Sequence, residues 1–387
     1  MDRKTKNSLI DSTKSEFYKV YNSKFDFVSI APGRVNIIGE HTDYNLGLAM
    51  PVAIDKWICI ASRKRNDNKI NIFSSHLNDT INTNIDNLEP KKLWHNYVIG
   101  CFSVLKDKFN IDKGVDVFIN GNIPIGSGLS SSAALEVSLI GVLLKTFKIN
   151  FSLNDILNLS HNVEIDYLKI NSGLLDQYAS IFASNNPVLI DFSTLKYSPV
   201  NSKINNSSWI LFDSKIRREL VSSKYNQRVS ECLEGLKKIN KKLSSSKKIN
   251  ELNLSDLNLI KDDEINFNRL SHVINENKRV VLMKNALENG DNISAGKILN
   301  NSHSSLSKLY DVSCKEIDFL IKISKITKGY YGGRIMGGGF GGCTLNLIES
   351  LNKDEIIKTI IKEFEKKYNY IPDVIPIKFS KGFEILF

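Results

Sequence analysis

A segment rich in glycine and serine lies between a predicted strand, Val115–Ile119, and a predicted helix, Ser132–Phe147. It reads Gly126-Ser127-Gly128-Leu129-Ser130-Ser131-Ser132. Glycines let a backbone approach a ligand closely, and a helix N-terminus offers free N–H groups to an anion. Neither Walker A nor the dinucleotide fingerprint matches, because G-K-[ST] is missing and Ser131 stands where a third glycine is needed. The segment favours a phosphate-binding loop, although a glycine turn before a serine-capped helix explains it when it is taken alone.

A second segment concentrates polar side chains just after a strand predicted at Val28–Ala31. Its polar residues are Arg34, Asn36, Glu40, His41, Thr42, Asp43 and Tyr44. A ligand rich in hydroxyl groups needs hydrogen-bond donors and acceptors at this density. A metal site or a surface turn is the alternative, but no second histidine lies at ligand spacing from His41. The segment therefore favours a site for a polyhydroxylated ligand.

Two further segments stand out: one carries a carboxylate, and the other carries a cluster of glycines. Gly173-Leu174-Leu175-Asp176-Gln177 places Asp176 at the start of a predicted helix, where a carboxylate often only caps the helix. The stretch Gly332–Gly342 lies around a strand predicted at Arg334–Met336 and before one at Thr344–Ile348. So many glycines indicate a loop that is pressed against a ligand or against other backbone.

The elements that must position these segments alternate between strands and helices in the first half of the chain. The other predicted strands there are Ala49–Ile54, Lys56–Arg63, Lys69–Phe73 and Val188–Asp191. The other predicted helices there run from the N-cap Ser152 to Lys169 and over Asp176–Ala183. The predicted helices of the second half are Arg217–Leu243, Phe267–Glu288, Ile317–Lys328 and Lys353–Tyr368. This order predicts an α+β protein of two domains, residues 1–205 and 206–387, whose last strands can pack back on the interface.

Composition narrows the class of protein. Hydrophobic residues make up 42% of the 387 residues and charged residues 24%, which is ordinary for a globular enzyme. The longest apolar runs, such as Leu139–Leu144, are too short to span a bilayer, so we expect no membrane partner. Residues 1–24 lack the apolar core of a signal peptide, and we expect a cytoplasmic protein. The five cysteines are far apart and without a C-x-x-C pair, which favours buried reduced thiols.

The net charge of +10 has two interpretations. A basic balance can mark a nucleic-acid partner. Here the lysines are spread along the chain, and Lys247–Lys248 and Lys366–Lys367 are short runs without interleaved aromatic residues. We therefore interpret the lysines as solvated surface that also attracts an anionic substrate, and we expect no nucleic-acid partner.

The four segments, in this order, resemble the signature regions of the GHMP kinases, and within them those of the galactokinase family. The resemblance extends from Ala31 to Gly342, and the ending Gly39–Tyr44 is the part that separates galactokinases from homoserine and mevalonate kinases. It implies an N-terminal domain similar to ribosomal protein S5 and a ferredoxin-like C-terminal domain. It also implies transfer of the γ-phosphoryl group of ATP to the C1 hydroxyl of galactose.

The resemblance further implies roles for single residues. Asp176 and Arg34 are the expected catalytic residues, with Asp176 as the base. The expected sugar contacts are Arg34, Glu40, His41, Thr42, Asp43, Gly173, Asp176 and Tyr225. The expected ATP contacts are Ser74, Trp94, Gly126, Ser127, Gly128, Leu129, Ser130, Ser131 and Ser132. The expected magnesium ligands are Ser132 and Glu164. One departure is visible, because Leu174-Leu175 replaces the Ile-Met that usually precedes the aspartate.

Three other functions remain open at this point. The first is a kinase for a related sugar, such as N-acetylgalactosamine or galacturonate. The second is a catalytically silent sensor of galactose and ATP, which could lose the phosphate loop or the base, whereas Arg34, Ser130–Ala134 and Asp176 are all present. The third, an RNA-binding protein, rests on charge alone. For the kinase we expect a monomer with galactose and ATP as its small-molecule substrates.

Overall fold

A computed structural model describes residues 5–90, 93–170, 173–217 and 221–386. Its strands are β1 (Phe27–Asn36), β2 (Leu48–Ala49), β3 (Pro51–Lys64), β4 (Lys69–Ser74), β5 (Asp79–Asn84), β6 (Val115–Gly121), β7 (Val188–Asp191), β8 (Lys196–Pro199), β9 (Ser207–Asp213), β10 (Tyr330–Ile335), β11 (Cys343–Glu349), β12 (Asp373–Ile377) and β13 (Glu384–Leu386). Its helices are α1 (Lys6–Tyr21), α2 (Leu93–Phe109), α3 (Ser131–Thr146), α4 (Leu153–Asn162), α5 (Leu175–Phe182), α6 (Val221–Leu243), α7 (Glu264–Asn289), α8 (Asn292–Lys308), α9 (Lys315–Lys325) and α10 (Lys353–Tyr368). The predicted α+β class is confirmed. The part of the predicted helix Arg217–Leu243 at positions 218–220 lies outside the described residues.

The larger sheet has six strands in the order β13-β1-β3-β6-β4-β5. Neighbouring strands are antiparallel except β4 and β6, which run parallel. Helix α3 packs against β1 and β3. Nearly all of its side chains are buried, as expected for a helix that is apolar on every side. The segment that enters α3 is therefore attached to a fixed element of the core.

A second, antiparallel sheet has the order β10-β11-β9-β12. Helices α8 and α9 pack against β10, and α10 packs against β11. Helix α7 contacts α6 and α8, and it also contacts β2 of the three-stranded sheet β2-β7-β8. Helix α7 therefore joins the second half of the chain to the first.

The end of the chain returns to the first sheet. Strand β13 pairs with β1, and the ring of Phe383 occupies the space next to Gly141 on α3. Strand β8 belongs to the three-stranded sheet and β9 to the four-stranded sheet, so a division at residue 205 falls between two sheets. The exact domain limits 1–205 and 206–387 stay a prediction.

The structure also bears on the expected buried thiols and on the expected lack of membrane-spanning segments. All five cysteines are buried, and none of them forms a disulfide bond within the described residues. Within the described residues, no helix combines the length and the apolar character that crossing a membrane requires. A π-helical turn, Val163–Tyr167, interrupts the helix that was predicted to run from Ser152 to Lys169.

Candidate active site

An ion pair between Arg34 and Asp176 brings three of the sequence segments together. Arg34 lies on β1 next to a register shift, and its side chain is almost fully buried. Its Nε lies 2.7 Å and its Nη2 2.6 Å from Oδ1 of Asp176, and its Nη1 donates to the carbonyl oxygen of Gly128 at 2.7 Å. The hydroxyl of Ser130 donates to Oδ2 of Asp176. One carboxylate therefore connects the polar segment, the glycine–serine loop and α5.

The carboxylate of Asp176 does not occupy the cap position of α5. The N-cap residue is Leu174, without a side-chain cap, and Asp176 lies in the first turn. Its two carboxylate oxygens accept hydrogen bonds from the side chains of Arg34 and Ser130, which are distant from Asp176 in the sequence. The capping alternative for Asp176 is therefore wrong.

The glycine–serine loop enters α3 through unusual backbone conformations. Gly126 and Gly128 have φ values of 67° and 74°, and Ser130 has φ 54°. Because the Ser130 hydroxyl is bonded to Asp176, it does not cap α3, and the first N–H groups of the helix have no side-chain cap. Among the residues that the structure describes, no atom lies within 4 Å of the place where a Cβ on Gly128 would stand. Within the described part of the chain, the loop thus leads into a helix N-terminus whose N–H groups lack a side-chain cap, and anion sites use such N–H groups.

The remaining loop residues are fixed to their surroundings. The Ser127 hydroxyl donates to the carbonyl oxygen of Pro124 at 2.7 Å. Leu129 is buried, and its carbonyl oxygen accepts the backbone N–H of Arg34 at 3.1 Å. Ser131 and Ser132 lie half-buried in the first turn of α3. The hydroxyls of these two serines are therefore at the helix end that an anion would approach.

The structure places Ser74 and Trp94 at the β4–β5 hairpin and not on the loop itself. Ser74 ends β4, opposite Asp79 of β5 and beside Ile119 of β6. The indole nitrogen of Trp94 donates to Oδ2 of Asp79 at 3.0 Å. Since β6 leads directly into the loop, the hairpin tip lies at the same end of the sheet as the loop.

Glu40 is held from both halves of the chain. Its Oε2 accepts a hydrogen bond from Nδ2 of Asn36 at 2.8 Å, and Asn36 belongs to the same polar segment. Its Oε1 accepts the backbone N–H of Gly337 at 2.8 Å and lies 3.1 Å from Nη1 of Arg334. Gly337 belongs to the late glycine cluster, so this cluster contacts the polar segment.

His41 is buried among aromatic rings in a left-handed conformation, with φ 61°. Its Nδ1 lies 2.7 Å from the hydroxyl of Tyr44, and its ring lies 5.5 Å from that of Tyr225. Its Nε2 is buried without a hydrogen-bonding partner among the described residues. Burial lowers the pKa of His41 to about 3, so the imidazole is neutral at neutral pH. A buried nitrogen without a partner is costly unless a ligand supplies one.

Asp43 and Gly173 are in direct contact. A Cβ on Gly173 would stand 2.2 Å from Oδ2 of Asp43, so only glycine fits there. Burial raises the pKa of Asp43 to about 7; the Tyr44 N–H partly offsets this rise, and the charges of Asp176 and Glu40 add to it. The structure therefore groups several acidic side chains in one recess.

Tyr225 lies beside the same recess. Burial raises the pKa of Tyr225 well above its ordinary range, and the nearby charge of Asp43 raises it further. Thr42 is fully buried, with its hydroxyl 2.8 Å and 2.7 Å from the carbonyl oxygens of Gly39 and Leu48. Thr42 thus stabilises the turn, and its contact with a sugar stays a prediction.

Two buried carboxyl groups lie near α3. Glu164 is on the π-helical turn, and Glu136 is on α3, four residues after Ser132. Oε2 of Glu136 accepts from Nε2 of Gln177 at 3.3 Å, while its Oε1 has no hydrogen-bonding partner in the described part of the chain. Burial raises the pKa of Glu136 well above its ordinary range, and the charge of Glu164 raises it further. The serine and carboxylate oxygens here are the hard donors that Mg²⁺ prefers.

Sequence reasoning missed Glu136 and Arg334. A glutamate on an otherwise apolar helix was the available signal for Glu136, and an arginine inside a glycine cluster was the signal for Arg334.

Within the described residues, no group of three or more histidine, cysteine or acidic side chains could hold a metal by itself. A Mg²⁺ ion bound with a nucleotide needs only one or two protein ligands, because phosphates and waters supply the rest.

Comparisons with known proteins place these residues in a family. A model described as "Galactokinase galactose-binding signature" matches residues 15–64. Models of the GHMP kinases N terminal domain and of the GHMP kinases C terminal match residues 96–184 and 283–367. The galactokinase of Ligilactobacillus salivarius (strain UCC118) is 35% identical over 100% of both chains. The chain belongs to the galactokinase family.

Other galactokinases agree with this assignment. The galactokinase of Fusobacterium nucleatum subsp. nucleatum is 36% identical over 87% of this chain and 89% of its own. The crystal structure of Lactococcus lactis galactokinase complexed with galactose matches with a TM-score of 0.89 and 33% identity, over 97% of this chain and 99% of that one. A mevalonate kinase structure matches with a TM-score of 0.66 at 18% identity and shows the shared fold alone. The predicted two-domain GHMP-kinase fold is confirmed.

Proposed function

We propose that this member of the galactokinase family transfers the γ-phosphoryl group of ATP to the C1 hydroxyl of D-galactose, giving galactose 1-phosphate and ADP. The junction of Arg34, Asp176 and Ser130 carries the proposal, because it joins a polar recess and an anion-binding loop at one carboxylate. Phosphoryl transfer needs the acceptor hydroxyl and the phosphate held at one place, with little covalent chemistry from the protein.

The sugar occupies the recess formed by the polar segment. Glu40, Asp43 and Tyr225 supply polar atoms to its hydroxyls, and the partnerless Nε2 of His41 gains a hydrogen bond there. Gly173 leaves room for the Asp43 carboxylate. Thr42 contributes through the turn that it stabilises. The dense donors and acceptors of this recess support a polyhydroxylated substrate.

Asp176 accepts the proton of the C1 hydroxyl, and the oxygen of that hydroxyl forms the new bond to the γ-phosphorus while the bond from that phosphorus to ADP breaks. Arg34, ion-paired with Asp176, neutralises negative charge that develops beside it during the transfer. The N–H groups of Gly126–Ser132 and the dipole of α3 hold the phosphate chain. Ser74 and Trp94, at the hairpin, are the proposed neighbours of the nucleotide base.

Ser132 and Glu164 are the residues that would hold Mg²⁺. When it is bound, the ion supplies neutralising charge to the phosphate oxygens. The hydroxyl of Ser132 at the end of α3 and the buried carboxylate of Glu164 fit this ion, since both offer oxygen ligands. The monomeric state, the cytoplasmic location and the lack of a nucleic-acid partner stay predictions.

An assay of ATP turnover across a sugar panel tests the proposal. The purified protein with Mg-ATP should release ADP with D-galactose and far less with N-acetylgalactosamine, galacturonate or glucose. Phosphorus NMR should identify the product as a sugar 1-phosphate. A folded protein that binds galactose in calorimetry but releases no ADP would be a sensor, and a preference for another sugar would reassign the substrate.

A further inference from the structure

The turn that carries Glu40 and His41 is conformationally demanding. Gly39 has φ 92°, and a Cβ there would stand 2.4 Å from the carbonyl oxygen of Leu48. His41, which is not a glycine, also has a positive φ of 61°. Glycine adopts a positive φ readily, but a histidine in this conformation is strained and persists only when the surrounding structure holds it in place. The turn therefore needs support from outside its own segment.

Glu276 on α7 supplies part of that support. It is fully buried, and its Oε1 accepts the backbone N–H groups of Gly39 at 3.1 Å and Glu40 at 3.4 Å. The same oxygen accepts the hydroxyl of Ser302 at 2.7 Å, and Oε2 accepts Nε of Arg279 at 2.6 Å. Burial is the largest single influence and raises the pKa of Glu276, but the charges of Arg279 and Arg334, with the other neighbours and the hydrogen bond from Ser302, together outweigh it and lower the pKa to about 2. The N–H groups of the turn thus bind an ionised carboxylate, which makes stronger hydrogen bonds than a neutral acceptor.

His272, one helical turn earlier on α7, holds the same residue from its other side. Its Nε2 lies 3.1 Å from the carbonyl oxygen of Glu40, and its Nδ1 lies 2.8 Å from the hydroxyl of Ser305. A carbonyl oxygen can only accept, so the Nε2 of His272 donates and its Nδ1 accepts from Ser305. Helix α7 therefore binds both the N–H and the C=O of Glu40.

We propose that Glu276 and His272 are positioning residues of the sugar site: α7 holds the backbone of Gly39–His41 so that the side chains of Glu40 and His41 meet the sugar. The inference rests on the proposed function. Both side chains are fully buried behind the turn, so the role that we assign to them needs no contact with the sugar. Because the turn lies in the first half of the chain and α7 in the second, the sugar site is complete only when the two halves are packed together.

The variant Glu276→Gln tests the role with little change in volume. The glutamine oxygen is uncharged, so it accepts the backbone N–H groups of Gly39 and Glu40 more weakly than the carboxylate does. The galactose KM should therefore rise about tenfold or more. The ATP KM should stay within about twofold, because the phosphate loop is not touched. Asp116→Asn is the matched control: Asp116 is equally buried and arginine-paired, but it lies on β6 beside Arg63 and Arg65. It should lower the melting temperature and leave the galactose KM unchanged.

A second pair of variants separates positioning from packing. His272→Gln keeps a nitrogen donor near the place of Nε2, whereas His272→Phe keeps the ring and loses the donor. The galactose KM should rise in His272→Phe and return towards the wild-type value in His272→Gln. This pair decides the question if Glu276→Gln does not fold.

The wild-type protein is assayed in parallel. If it turns over no galactose, the proposed function fails, and the positioning role fails with it. If it is active but the galactose KM is unchanged in Glu276→Gln and in His272→Phe, only the positioning role is overturned. An equal rise of both KM values, or an equal rise in Asp116→Asn, also overturns it, since either result indicates a general loss of structure.

Discussion

Replacing Asp43 by asparagine should make the free protein more stable while weakening its hold on galactose. The carboxyl of Asp43 is in the recess with Asp176 and Glu40, and burial raises its pKa from an ordinary value of about 4 to about 7. In the unfolded chain the group loses its proton near pH 4. Between these values, folding takes up a proton, so the stability of the wild type falls as the pH rises from about 4 to about 7.

The size of the effect follows from the shift. A difference of about three pH units corresponds to about 4 kcal/mol, since each unit is worth about 1.4 kcal/mol. Part of the Asp43 side chain is exposed to solvent, which screens the charge and reduces the free-energy cost of ionising it in the folded protein. We therefore expect a cost of about 2 kcal/mol. Asparagine carries no charge and avoids this cost. The variant should therefore melt higher than the wild type by on the order of 4 °C above pH 7.5, and by nothing near pH 4.

Thermal melts of the free proteins between pH 4 and pH 8 measure the stability difference, and calorimetry at pH 8 measures ligand affinity. The galactose Kd of Asp43→Asn should rise by about 10- to 100-fold, because a charged acceptor to a hydroxyl is worth about 1.5–3 kcal/mol. The Kd for ATP should not change. Asp318→Asn is the control of opposite sign. Burial alone would raise the pKa of Asp318, but bonds from His303 and Ser313 outweigh it and the pKa is lowered, so this variant should be less stable at pH 8.

Two results would refute this reasoning. A stability difference between Asp43→Asn and the wild type that is the same at pH 4 and at pH 8 would mean that the carboxylate is not strained in the free protein. A variant that is more stable at pH 8 but binds galactose as tightly as the wild type would remove Asp43 from the sugar contacts.

Two other variants test the catalytic assignments. Asp176→Asn should lower turnover by ~10²–10⁴-fold while the galactose affinity stays within a few-fold, and turnover close to that of the wild type would end its role as the base. Asp291→Asn is its matched control, because Asp291 is the N-cap of α8 and accepts the backbone N–H of Ser294. This variant should leave turnover unchanged. Glu164→Gln should raise the Mg²⁺ concentration for half-maximal rate by about tenfold, measured by titration at saturating galactose, and an unchanged titration would exclude it as a ligand.

Elements with strong local signals were predicted with little error. Helix α10 and strand β7 have the bounds that the sequence predicts, Lys353–Tyr368 and Val188–Asp191. The N-cap at Ser152 is confirmed, and its hydroxyl and the Asp155 carboxylate form a capping box. In these places the hydrophobic period and the cap are contained in a few neighbouring residues, so the local sequence is sufficient.

Elements that depend on distant partners were predicted less well. Strand β3 runs without a break over Pro51–Lys64, although two strands were predicted, because β1 and β6 pair with it on both sides. The helix after Ser152 ends at Asn162, and the π-helical turn that follows carries Glu164. Helix α8 was not predicted, because several residues of its buried face are polar, among them Ser302, His303 and Ser305; it packs against α7 and β10.

The sequence by itself determined the family of this protein and most of the residues that meet at the recess, because the four motif segments are short and contiguous. The tertiary structure alone decided the charge state of the buried acids. Asp43 has a raised pKa and Glu276 a lowered one, although Glu276 is the more deeply buried of the two carboxyl groups. The charges of Asp176 and Glu40 add to the rise for Asp43, whereas Arg279, one turn along α7, lowers the pKa of Glu276. Asp176 is distant in the chain, and how deeply each carboxyl group is buried is set by packing between distant segments. Desolvation and Coulomb interactions depend on distance in space, which residue order does not contain.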